Sequence, residues 1–232
     1  MKDDFMSSVT HELRTPLAAI RAFSEILHDD PDIELEERRR FLGILVSETE
    51  RLSRLVNQVL DLAKLESGHA DWRHEQLDLR DVIEQAVTAV GKFLEEKGVM
   101  LRQNLGEHSA PVDVDRDSLV QVMINLLSNA AKFAPKGHGL VEVVLQECDG
   151  AYRVCVVDNG PGIAETDLTL VFEKFRQSSS GGEKPLGTGL GLPICRQIVQ
   201  HHGGRIWAER RPGEGARVCF VLPSQVRSAD DP

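Results

Sequence analysis

His11-Glu12-Leu13-Arg14-Thr15-Pro16-Leu17 sets an imidazole beside a carboxylate on a segment with helical periodicity. Leu13, Leu17, Ile20 and Leu27 follow a three-four spacing, interrupted at Ser24, so they share one seam and turn His11 towards water. An exposed imidazole can act as a nucleophile. Glu12 can hold the ring in one tautomer and accept its proton, which leaves the other nitrogen's lone pair to attack an electrophile. Pro16 lacks an N–H and crowds the preceding turn, so the helix is expected to bend or loosen beside the histidine. Taken by itself, a His-Glu pair is most often a solvated helix face. A zinc protease is excluded, because Thr15 stands where an HExxH pair needs its second histidine.

Three groups further along supply something for such a pair to react with. Asn125 and Asn129 are four apart on one helix, and Lys132 and Phe133 continue the line a turn later. The amide oxygens suit a hydrated Mg²⁺, the ammonium suits phosphate and the ring suits a flat base. Asp158-Asn159-Gly160-Pro161-Gly162 stands at a strand end, where a carboxylate can accept a hydrogen bond from an exocyclic amine such as that of adenine. Gly160 and Gly162 let backbone approach the base. Gly187-Thr188-Gly189-Leu190-Gly191 opens a helix and exposes backbone N–H groups to an anion, as in triphosphate sites. It is neither a Rossmann fingerprint, since its last glycine comes one residue early, nor a P-loop, since the terminal Gly-Lys-Ser/Thr is missing. Ser178–Pro185, between Phe172/Phe175 and these glycines, reads as a lid closing on ligand. Each group alone has an ordinary reading as a capped helix face, a turn or a connector.

These residues need elements to hold them. The helix carrying His11 is expected to run from about Lys2 to about His28 and to stop before Pro31. A second helix repeats Leu42, Leu45, Thr49, Leu52, Val56, Val59 and Ala63 in steps of three and four, a coiled-coil seam. The two form an antiparallel hairpin. One hairpin cannot cover that seam together with Phe23, Ile26, Phe41, Leu55, Leu60 and Leu62, so two copies are expected to pair as a four-helix bundle. The pattern breaks at Ser67-Gly68-His69-Ala70-Asp71, which sets expected boundaries at 1–66 for the hairpin, 67–76 for a linker and 77–223 for a second domain. Residues 224–232 read as a disordered tail. In the second domain, helices are expected over Asp78–Gly98, Asp115 to about Phe133, and Leu190–His202. Strands are expected over Val99–Asn104, Leu140–Cys148, Tyr152–Asp158, Arg205–Glu209 and Ala216–Leu222, the last two joined around Pro212-Gly213-Glu214-Gly215. The fold class is therefore α plus α/β: a helical hairpin followed by a two-layer sandwich of helices on a mixed sheet.

Composition narrows the function. With 232 residues and 41% hydrophobic content the chain can bury a core in each of two domains. The formal net charge of −10, with no basic stripe to offset it, speaks against nucleic acid as a partner. Cys148, Cys155, Cys195 and Cys219 contain no CxxC pair and read as reduced, mostly buried thiols of a cytoplasmic protein. No apolar run approaches the roughly 20 residues that span a bilayer. This segment is thus expected to make no membrane contact, as the cytoplasmic part of a longer, membrane-anchored sensor.

The order of these pieces resembles that of the sensor histidine kinases of two-component systems. HELRTPL looks like the phosphoacceptor box, Asn125 to Phe133 like the asparagine box, and Asp158 to Gly162 like the first glycine box. Phe172-Glu-Lys-Phe175 looks like the phenylalanine box and Gly187 to Gly191 like the second glycine box. Phe133 stands where many relatives carry Tyr, a change of little consequence for stacking. The resemblance implies a homodimeric phosphotransfer hairpin and an ATP-binding domain of the type shared with gyrase and Hsp90. It implies that Asn129 with Asn125 holds Mg²⁺ against the phosphates, that Asp158 contacts adenine, and that Glu12 is the base. Thr15 would orient water when the protein dephosphorylates its partner, a response regulator. Two other readings compete: a gyrase-like ATPase that uses ATP as a clamp, with Asn125 where a carboxylate base is needed, and an adaptor that binds a regulator without turning over ATP.

Overall fold

In the computed structural model, residues 2–68, 70–176, 187–211 and 215–224 are described. The expected lid at 178–185, most of the turn at 212–215 and the tail beyond 224 lie outside them. The chain divides into two compact units, Met1–Gly68 and His69–Pro232. Among the described residues no helix is long and apolar enough to cross a membrane.

The first unit is a hairpin of α1 (Lys2–Asp29) and α2 (Leu35–Glu66). The residue before Pro31 leaves the helical region, and the Arg38 guanidinium donates to the Pro31 carbonyl across the turn. α1 runs unbroken through Pro16, which is itself buried. The seam between the helices differs from the expected one. Leu55 and Leu62 are the buried residues of α2, Val9 is buried on α1, and the Phe23 and Phe41 rings lie 5.1 Å apart. Leu42 and Val56 from the expected seam are exposed, as is Leu17 on α1. Each helix carries two apolar stripes. Of the expected seam residues, Leu13, Ile20, Leu27, Leu45, Leu52 and Val59 are half-buried while Thr49 and Ala63 are exposed with Leu17, Leu42 and Val56; of those read as flanking, Leu55 and Leu62 are buried while Ile26 and Leu60 are exposed.

The second unit is a two-layer sandwich. A five-stranded sheet has the order β2-β4-β5-β7-β6, from β2 (Val99–Asn104), β4 (Gly139–Cys148), β5 (Ala151–Asp158), β6 (Arg205–Arg211) and β7 (Gly215–Pro223). β2 pairs parallel to β4 and the other neighbours are antiparallel, so the sheet is mixed. Helices α3 (Leu79–Lys97), α4 (Arg116–Phe133) and α5 (Gly191–His201) bury their apolar stripes: Ile83 and Ala86 on α3, Leu119, Met123 and Leu127 on α4, Ile194 and Ile198 on α5. β4 alternates, with Val141, Val143 and Leu145 buried and their neighbours half-exposed.

Two features were not legible. β1 (His74–Asp78) and β3 (Pro111–Asp115) form a separate antiparallel pair, so β1 begins inside the stretch expected to be linker. β1 buries only Leu77, and its pairing partner is dozens of residues away. Cys155 and Cys219 are joined in a disulfide, which corrects the expectation of four thiols. Residue-to-residue register sets them opposite each other on β5 and β7 with Cα atoms 4.1 Å apart, across a sequence separation of 64. Cys148 and Cys195 are free thiols. Cysteine usage therefore carries no argument for a reducing compartment.

The end of α5 is tied to the start of α4 through a buried histidine. The Asp115 backbone N–H donates to His202 Nε2 at 2.9 Å, and His202 Nδ1 lies 2.8 Å from the Ile198 carbonyl, to which it donates. Both nitrogens are used in the neutral state. Protonating Nε2 would set two N–H groups against each other. Asp115 caps α4 by accepting from Ser118 N–H and also accepts from Arg73 N–H. Trp72 stacks on His201 at 3.8 Å, and His74 lies within 5.1 Å of His202 and 3.9 Å from Asp113. Burial, then the neighbouring His201 and His74, hold His202 below its ordinary 6.5, against the opposing pull of Ile198 and Asp115. A lowered imidazole contributes stability that is intact above about pH 6.5 and is lost as pH falls below it, because the unfolded chain takes up the proton first. The unfolding temperature of the wild type is expected to fall as pH drops below about 6.5, with a shallower fall in His202→Gln. Equal pH slopes in the two proteins would remove His202 as the cause.

Candidate functional site

α4 turns its two asparagines to one side because Leu119, Val122, Met123, Leu126, Leu127 and Ala130 occupy the buried side. Both amides meet the start of α5. A Cβ on Gly191 would stand 3.8 Å from Asn125 Cγ and 3.8 Å from Asn129 Nδ2. Lys132 reaches the glycine stretch one turn later, with Nζ 3.2 Å from where a Cβ on Gly187 would be. Phe133 ends the helix with its ring about half exposed. Its carbonyl lies 2.5 Å from the Cβ position of Gly160. Only glycine fits there.

Asp158 sits at the end of β5 and is buried. Oδ1 accepts two backbone N–H groups, from Gly160 at 2.8 Å and from Ala216 at 3.3 Å. Burial pushes the carboxyl above the usual carboxylate range, and those two bonds hold it part of the way down. Asn159 fixes the turn. Its Oδ1 accepts Leu140 N–H and its Nδ2 donates to the His138 carbonyl, each at 2.8 Å. Gly162 has φ +80° and backs onto the Gly215 carbonyl.

The glycine stretch leads into α5 through Thr188, whose hydroxyl accepts the Leu190 N–H at 3.3 Å, and Leu190, which is fully buried and anchors the helix start. Gly189 has φ +67° and lies against the backbone of Phe175, whose own N–H donates to the Gly189 carbonyl at 3.0 Å. Phe175 adopts φ +59°, a left-handed conformation that a non-glycine residue takes only when its surroundings impose it. Phe172 is buried nearby in the chain.

Asn125, Asn129, Lys132, Phe133, Asp158, Gly160, Gly162, Phe175, Gly187, Thr188, Gly189, Leu190 and Gly191 thus come together around one end of the sheet and the start of α5. Sequence reasoning missed three supports. Gly215 and Ala216, at the start of β7, close on Asp158, and a Cβ at Gly215 would fall 1.9 Å from the Asp158 carbonyl. Cys195 on α5 is hydrogen-bonded to the Asn125 side chain, and burial pushes its thiol up to about 12. Nothing local in the chain links either to the site.

The helical unit carries the second set of residues. His11 is well exposed and Nδ1 points to Glu12 Oε1 at 4.0 Å, oriented but beyond hydrogen-bond range. Thr15 is exposed, and its hydroxyl donates to the His11 carbonyl at 3.4 Å. Pro16 supplies no N–H to the Glu12 carbonyl one turn back. Among the described residues there is no cluster of three or more His, Cys, Asp or Glu that could hold a metal.

Residues 114–226 match the histidine kinase-, DNA gyrase B- and HSP90-like ATPase family, and residues 1–68 match the His Kinase A (phospho-acceptor) domain. The sensor histidine kinase WalK of Bacillus subtilis is 34% identical over 230 residues, which is 98% of this chain and 38% of that protein. The solved mycobacterial sensor histidine kinase MprB is 32% identical, with a TM-score of 0.57 over 65% of this chain and 98% of that one. The histidine kinase ThkA, solved in complex with the response regulator protein TrrA, gives a TM-score of 0.77 at 25% identity over 95% of this chain and 61% of that one. The chain thus spans little more than a third of WalK's length.

Proposed function

We propose, since this chain belongs to the histidine kinases and carries their ATP-binding domain, that it autophosphorylates His11 from ATP and passes the phosphoryl group to an aspartate of a response regulator. The observation that carries this reading is the exposed His11 with Nδ1 turned to Glu12, on a chain whose second unit also gathers Asn125, Asn129, Lys132, Phe133 and Asp158 with the 160–162 and 187–191 glycines.

Asp158 Oδ1 is taken up by Gly160 and Ala216, which leaves Oδ2 to accept from the adenine amine. Phe133 offers a ring to the base. Lys132 and the N–H groups at 187–191 hold the phosphates. Asn125 and Asn129, with no metal-holding cluster of His, Cys, Asp or Glu among the described residues, fit a cation that keeps most of its waters and takes its charge balance from the phosphates, as Mg²⁺ does. When bound, Mg²⁺ neutralises charge on the transferring phosphoryl group. At the acceptor, His11 Nε2 attacks the γ-phosphorus in line, the N–P bond forms, and the P–O bond to ADP breaks. The Nδ1 proton passes to Glu12. Thr15 orients water when the same surface dephosphorylates the regulator.

The apolar residues left exposed on the hairpin, among them Met6, Leu17, Leu42, Val46 and Leu60, are covered by a second copy in a four-helix bundle. We assign residues 1–66 to dimerisation and phosphotransfer and 77–223 to catalysis. The segment works in the cytoplasm as part of a longer sensor. Incubation with ATP labelled in its γ-phosphate is expected to label the wild type and to leave His11→Gln unlabelled. Phosphate release with no label on the wild type would favour the ATPase clamp instead.

A further inference from the structure

Glu12 does not stand alone beside the histidine. Its Oε1 faces His11, while its Oε2 lies 3.7 Å from one guanidinium nitrogen of Arg51 on α2. The other terminal nitrogen of Arg51 lies 3.7 Å from Glu48 Oε2. His11 is open to water at 78% side-chain exposure, whereas Glu12, Arg51 and Glu48 are partly covered, at 26%, 36% and 21%. A neighbouring residue on a helix points about 100° away, so a carboxylate at position 12 reaches position 11 only if it is steered. Arg51 is the cationic side chain within ion-pair range of it among the described residues.

We propose that Arg51 is a positioning residue for phosphoryl transfer: it engages one oxygen of Glu12 so that the other is presented to His11 Nδ1. This rests on Glu12 accepting the Nδ1 proton as His11 Nε2 forms its bond to phosphorus and ADP leaves. The arrangement is the nucleophile, base and orienting group of other activated nucleophiles, built here across two helices. A planar guanidinium can serve Glu12 and Glu48 together, which a lysine ammonium does less well. A partly exposed ion pair adds little to stability, so its effect belongs to the rate.

The test is the phosphohistidine formation rate of the full chain at varied ATP, in Arg51→Met, Arg51→Lys, Glu12→Gln and the double variant Arg51→Met/Glu12→Gln. Arg51→Met is expected to lower kcat about tenfold with KM for ATP and the unfolding temperature unchanged. Arg51→Lys recovers part of the rate. In the Glu12→Gln background Arg51→Met causes no further loss, because the group it positions is already gone. Equal losses in both backgrounds, a changed KM, or a wild-type rate in Arg51→Met would each overturn the proposal. A wild-type rate in Glu12→Gln would overturn it too while leaving the kinase reading intact. Absence of phosphohistidine in the wild type would instead refute the kinase reading beneath it.

Discussion

Asparagine in place of Asp158 is expected to weaken ATP binding by about ten- to a hundredfold while the second unit stays folded, the size of a lost charge-assisted hydrogen bond. The argument lies in how the carboxylate is divided. Oδ1 accepts Gly160 N–H and Ala216 N–H, and an asparagine oxygen can keep both bonds. The amide nitrogen then takes the place of Oδ2. A donor faces the adenine amine, itself a donor, where an acceptor stood before. Titration calorimetry with ATP and a thermal melt separate the two effects. The melt should hardly move and the affinity should fall, and inosine triphosphate, which has a carbonyl in place of the amine, should lose less. Undiminished ATP affinity would remove Asp158 from the base site.

Alanine at Gly189 is expected to cost at least as much affinity by a different route. Its Cβ would lie 2.7 Å from Phe175 Cα, 2.8 Å from Phe175 C and 3.0 Å from the Arg176 carbonyl oxygen, at φ +67°. All three are backbone atoms, which cannot swing aside as a side chain can. The left-handed conformation adds roughly 1 kcal/mol for a residue with a Cβ, and overpacking typically adds about 1–3 kcal/mol. The strand of chain from 187 to 191 must therefore move, carrying the N–H groups that open α5. ATP affinity should drop by about tenfold or more, since displacements near an ångström are costly in a site of this kind. The buried face of α5, with Ile194, Cys195 and Ile198, should keep the helix docked. Gly91→Ala, inside α3 and outside the site, is the control: a Cβ there meets nothing within 4 Å among the described residues, and ATP affinity should not change.

The parts of the site that lie close in sequence were legible in it. Asn125 and Asn129 are one helical turn apart on a helix with a clear buried stripe, so their common face follows from periodicity. Asp158 ends a strand, and the glycines open a helix, each recognisable from its own neighbours. What escaped depends on pairing between distant segments. Cys155 meets Cys219 only because β5 and β7 are adjacent, Gly215 closes on Asp158 for the same reason, and β1 exists only by pairing with β3. The hairpin shows a related limit. Periodicity locates apolar stripes on α2, but with two stripes per helix it does not say which one the other helix covers. Arg51 lies on the other helix from Glu12 and could not be linked to it by spacing at all.

The most direct measurement is the chemistry and position of the bound phosphate after incubation of the wild-type chain with ATP labelled in its γ-phosphate. A label lost in acid, kept in alkali and mapped to the peptide containing His11 is the predicted result. A label that survives acid, as a serine or threonine ester would, or that maps away from His11, would contradict phosphoryl transfer to that imidazole.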